Sequence, residues 1–204
     1  MDGLTERLVG GMSGLGRQRS RGSRGPIVEV LFPSVLVWCS HVGVLSDLAV
    51  LVGDFSSAAT AVVPGWPCPV RTELLRAPHR CPALPAGWAA VYVFALGQGA
   101  GARAPAGSGT VLKVGRVGAA SGPRFSYQHY GLGASSTLAR SLLKYRVLWP
   151  WLGIAGLGER DVKTWMLSNL DRGHVFVPGD RPDVLASLEV YVRARVGSVF
   201  EGSA

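Results

Sequence analysis

The clearest pattern of hydrophobic positions begins at Trp88. The run WAAVYVFALG (88–97) is apolar almost throughout, rich in Val, Ala and aromatic residues, and bounded by Gly, which predicts a buried strand. The Gly/Ala-rich segment that follows, GQGAGARAPAGSG (97–109), carries turn chemistry only, and leads into a second strand, TVLKVGRVG (110–118). The two strands read as a hairpin with a long connector. GPRFSYQHY (122–130) predicts a short helix, with Pro123 tolerated in its first turn. SSTLARSLLKYRVL (135–148) predicts an amphipathic helix capped by Ser135 or Ser136, with Leu138, Leu142 and Leu143 on one side. GERDVKTWMLSNL (158–170) predicts another, placing Val162, Trp165 and Met166 on one face, and GHVFVP (173–178) a brief strand. DRPDVLASLEVYVRARVG (180–197) predicts a last helix, with Asp180 as N-cap, Pro182 in the first turn and Gly197 at the stop. A hairpin followed by helices is a small α+β domain of about 115 residues, a short antiparallel sheet flanked by helices.

The pattern is far weaker before residue 85. GGMSGLGRQRSRGSRG (10–25) has no apolar period and reads as disordered. Ile27 to Val63 is apolar but fits neither the helical nor the strand template, and VVPGWPCPV (62–70) reads as a Pro-rich linker. Residues 1–84 are therefore expected to form a partly disordered extension of unknown role, and 85–204 the folded domain. A start assigned too far upstream would also give a segment with so little pattern. Within Ile27 to Val63 the longest uncharged run, Val30 to Ser46, has 17 residues. A spanning helix wants about 20, so no membrane segment is expected. The competing reading makes residues 30–52 an anchor.

Composition adds the sign of the partner. The chain carries 21 Lys and Arg against 13 Asp and Glu, a net +8. Most of the excess lies after residue 84, with thirteen basic and seven acidic residues against eight and six before it. That balance excludes an acidic, solvating protein and favours an anionic partner such as nucleic acid. Cys39, Cys68 and Cys81 include no C-x-x-C pair, which argues against a zinc ribbon or a disulfide scaffold and for a reducing, cytoplasmic location.

Five residues are out of place for packing alone. Leu185, Glu189, Val192 and Val196 share one stripe of the last helix, and a carboxylate there is costly unless it is paired or binds a metal. The alternative is an edge position or a pair with Arg193 at i+4. Tyr92 sits at the centre of the first strand, where half-buried packing is the ordinary role. Lys113 interrupts the second strand, although Lys is depleted from strands unless it faces solvent. Arg124 and His129 follow that strand; on an ideal helix His129 lies about 140° from Arg124, and Gln128 shares the Arg124 face. Arg140 and Lys144, at i+4, share a basic face suited to phosphates or simply to solvent.

In order, these features resemble the GIY-YIG nuclease superfamily. VYV (91–93) stands for the first strand motif, KVG (113–115) for the second, and RFSYQHY for the helix with a catalytic Arg and His. The later helix supplies a Glu. The run KVGRVG, R, QHY, STLARSLL, closing with SLEVYV and FEG, is similar to a bacterial branch of the superfamily, over about residues 85–204. Lys113 stands where members usually carry Tyr, and the Asn that commonly follows the Glu is missing; the chain's one Asn, Asn169, precedes Glu189. The resemblance implies a DNA endonuclease. Tyr92 and Lys113 would orient or deprotonate the attacking water, with His129 beside them. Arg124 would clamp the scissile phosphate, and Glu189 would hold Mg²⁺ or another divalent cation. Arg116, Arg140 and Lys144 would contact the backbone. The alternative is a catalytically inactive nucleic-acid-binding module on the same fold.

Overall fold

The computed structural model describes residues 45, 47–62, 66–134 and 137–200. In chain order they form α1 (Leu48–Ala59), β1 (Arg71–Leu75), β2 (Trp88–Leu96), α2 (Gln98–Gly101), β3 (Val111–Val117), α3 (Gly122–Ser126) and a 3-10 turn (Gln128–Tyr130). They continue with α4 (Leu138–Lys144), a second 3-10 turn (Arg146–Leu148), α5 (Val162–Asn169), β4 (Leu170–Pro178) and α6 (Pro182–Val196). The fold is α+β. Its sheet has four antiparallel strands in the order β1-β4-β2-β3, which leaves β3 at an edge.

Successive side chains of a strand point to opposite faces, and β2 is covered on both. Ala90, Tyr92, Phe94 and Leu96 pack with Phe125, Tyr130, Leu138, Leu142 and Met166. Ala89, Val91, Val93 and Ala95 pack with Phe55 of α1 and with Val184, Leu185, Leu188 and Val192 of α6. A strand without a solvent face needs no polar alternation, which is why its sequence reads as one apolar run. Each large apolar side chain buried this way contributes about 1.5–3 kcal/mol.

Several expectations need correction. The brief strand at 173–178 is a nine-residue inner strand that starts at Leu170 and pairs with both β1 and β2. Its first half was hidden by Asp171 and Arg172, which look unfit for a core but are 4% and 0% exposed. Asp171 is neutralised by Arg76, 2.7 Å away, and accepts the Ala77 N–H. The fourth strand, β1, comes from residues 71–75, ahead of the compositional boundary at 84. The connector after β2 contains the short helix α2 as well as turns. Asp180 does not cap α6: Arg181 occupies that position, with no side-chain cap. Gly197 does end the helix, in the left-handed region at φ +57°. Ser135 and Ser136 lie outside the described residues; Thr137 caps α4, its hydroxyl accepting the Arg140 N–H at 3.2 Å. Most of the proposed anchor, 30–52, is also outside them, and among the described residues no helix is long and apolar enough to cross a membrane.

Candidate active site

Strand register assembles the site. Tyr92 stands opposite Gly115 of β3 and His174 of β4, and Lys113 stands opposite Phe94. Tyr92, Gly115 and Lys113 therefore share the face that α3 covers. A Cβ on Gly115 would overlap the Tyr92 hydroxyl. Glycine here lets the phenol lie across β3 towards the sheet edge. Gly115→Ala is expected to displace Tyr92 and to destabilise the fold by about 1–3 kcal/mol, as overpacking commonly does, read as a lower urea midpoint.

At that edge the Arg124 guanidinium lies near enough to the Tyr92 hydroxyl to favour its ionised form. Burial pushes the phenol pKa up to about 12; Arg124 and Arg172 oppose the rise and Glu189 adds to it. Tyr92 thus keeps its proton at neutral pH. Lys113 is 5% exposed. Its burial, with Arg124 and Arg193 nearby, lowers the ammonium pKa. Tyr92 is raised and Lys113 lowered, so of the two the lysine is the better proton acceptor.

Glu189 lies at the margin of the α6 stripe, its side chain 14% exposed. Its Oε1 accepts from Arg193 at 2.7 Å, the i+4 pair, and its Oε2 forms an ion pair with Arg116 of β3 at 3.2 Å. Both carboxylate oxygens are therefore engaged. Beside them an open cleft of about 600 Å³ runs between α3 and α6, lined among others by Arg116, Gly118, Ser121, Arg124 and Asp183. It offers two guanidiniums to an anion. Arg140 and Lys144 are exposed on α4 and do not line this cleft. The Arg140 guanidinium donates to the Leu132 carbonyl at 2.5 Å, and the Lys144 ammonium sits 5.1 Å from the Tyr145 ring centre.

His129 is placed differently from the helical expectation. α3 ends at Ser126 and the 3-10 turn redirects the chain, so the imidazole enters the core. Its ring centre is 4.5 Å from that of Tyr92, and neither nitrogen has a hydrogen-bond partner. Burial, with Arg172, Lys113 and Arg124, lowers its pKa to about 3, so the ring is neutral at physiological pH. It supports the Tyr92 ring by packing.

One buried cation was missed in the sequence. Arg172 lies under the site with its guanidinium 4.5 Å from the Phe125 ring centre, 4.9 Å from Phe94 and 5.6 Å from both Tyr92 and Tyr130. Cation–π contacts of this kind contribute about 2 kcal/mol when desolvated. Its signal was the two-residue period of Arg172, His174 and Phe176 along one face of β4. His174 Nδ1–H donates to Glu73 Oε2 at 2.8 Å, but burial, Arg172 and His79 lower the imidazole pKa, so the contact is a hydrogen bond from a neutral ring rather than an ion pair.

Among the described residues, no group of three or more His, Cys, Asp or Glu is arranged to hold a metal ion. No protein-family model matches the chain, and neither a curated protein nor a solved structure does.

Proposed function

We propose that the chain is a GIY-YIG-like endonuclease that hydrolyses phosphodiester bonds in DNA in the cytoplasm, where the free thiols Cys68 and Cys81 would stay reduced. The observation that carries this reading is that Arg124, which lies near both Tyr92 and Lys113, lines a cleft together with Arg116, the partner of Glu189. Arg124 and Arg116 bind the phosphate; Arg124 has the planar fork of donors suited to a developing dianion. Tyr92 orients the attacking water through its retained proton. Lys113, whose burial favours the neutral amine, takes the proton from that water.

A divalent cation fits this site in one arrangement. Mg²⁺ is commonly held by one or two carboxylates together with substrate phosphate oxygens, and Glu189 supplies one carboxylate. Its oxygens are released only when Arg116 and Arg193 turn to a phosphate instead. Bound there, Mg²⁺ would neutralise charge on the phosphate. The free protein is therefore expected to bind Mn²⁺, used as the Mg²⁺ probe, at least about tenfold more weakly than the protein with an uncleavable phosphorothioate duplex. Electron paramagnetic resonance of free Mn²⁺ measures this. Equal affinity in the two states would contradict the arrangement.

The engagement of both Glu189 oxygens by arginine also favours a second reading, a nucleic-acid-binding module without turnover. Nicking of supercoiled plasmid by the full chain in Mg²⁺ separates the two. Open-circle product from wild type supports the nuclease. DNA binding with no product supports the module.

A further inference from the structure

A guanidinium in a protein core ordinarily has a carboxylate partner. Arg172 is fully buried in the inner strand β4, yet no carboxylate pairs with it among the described residues. Four aromatic rings surround it, and its Nε has no hydrogen-bond partner. An apolar residue of similar volume would avoid the cost of desolvating the charge, which is set against what the ring contacts and hydrogen bonds return. Stability alone therefore does not explain Arg172.

Its hydrogen bonds point to a different role. One amino group donates to the Phe125 carbonyl at 2.7 Å and the other to the Tyr130 hydroxyl at 3.1 Å. Both acceptors belong to the segment 122–130, which carries Arg124. That segment is a five-residue helix and a three-residue 3-10 turn, too short to hold its own shape. The same guanidinium lies 5.6 Å from the ring centre of Tyr92, and Arg124 is close to that residue's hydroxyl.

We infer that Arg172 is a positioning residue: it fastens α3 and its 3-10 turn to the sheet so that Arg124 meets the Tyr92 hydroxyl and faces the cleft. The inference rests on the proposed nuclease reading only for its effect on rate. The bolt itself has a separate readout.

The test uses Arg172→Met and the milder Tyr130→Phe, which keeps the ring and removes one acceptor. Both are expected to fold, with the melting temperature of Arg172→Met equal to or above that of wild type. Single-turnover plasmid nicking should fall about 100-fold in Arg172→Met and about 5- to 10-fold in Tyr130→Phe, while the Kd for plasmid changes less than about threefold. The Arg124 guanidinium resonances should shift in both variants relative to wild type. Wild-type nicking rates in Tyr130→Phe with unchanged Arg124 resonances would overturn the inference, whether or not Arg172→Met folds. If wild type itself does not nick, the nuclease reading fails and the Arg124 resonances alone decide the positioning role.

Discussion

Arg124→Ala is expected to slow single-turnover plasmid nicking by about 10²–10³-fold, the usual cost of removing one donor aimed at developing charge. The residue is suited to this because its guanidinium is held from behind and open in front. It lies beside the Tyr92 hydroxyl on one side and lines the cleft on the other. Affinity for DNA should fall much less, by about the tenfold that one lost phosphate contact carries, and the slope of log K against log salt should shrink by about one. Arg124→Lys should recover little of the rate, because an ammonium offers a point charge in place of a two-pronged fork. Stability should change little.

Glu189→Gln is expected to move binding and turnover in opposite directions. The amide keeps the shape but removes the negative charge lying between Arg116 and Arg193. Both guanidiniums then become available to phosphates, so DNA should bind about three- to tenfold more tightly. Cleavage should fall by about 10²-fold or more, since the carboxylate proposed to hold a divalent cation is gone. The stability cost is expected to be about 1 kcal/mol, because the partner side chains are 46% and 30% exposed and their pairs are screened by solvent. A change that tightens binding while stopping turnover would not follow from loss of fold.

Those elements whose partners lie nearby in sequence, or on every side, were legible. β2 and β3 read as strands because β2 is covered on both faces, and α6 because Pro182 and Gly197 bracket an amphipathic run. α1 was not: its buried residues, Leu48, Phe55 and Ala59, are separated by Asp54, Ser56 and Ser57, which blurs the helical period. The opening of β4 was hidden because the groups that satisfy Arg172, Phe125 and Tyr130, are 47 and 42 residues away, and the partner of Asp171 is 95 away. The site shows the same division. Of the two readings open for Glu189 on its helix, the structure shows the pair with Arg193 at i+4, as local spacing allows, and adds a pair with Arg116 across the sheet edge, which spacing could not show. The His129 geometry failed because the helix template was carried past Ser126, where the backbone tightens into a 3-10 turn.

Side-by-side nicking of supercoiled plasmid by wild type and Glu189→Gln, in Mg²⁺ and with enzyme in excess, tests the central claim most directly. Open-circle DNA forming in wild type and at least about 100-fold more slowly in the variant is the result predicted. Equal rates in the two proteins, or no product from either despite tight binding, would contradict it.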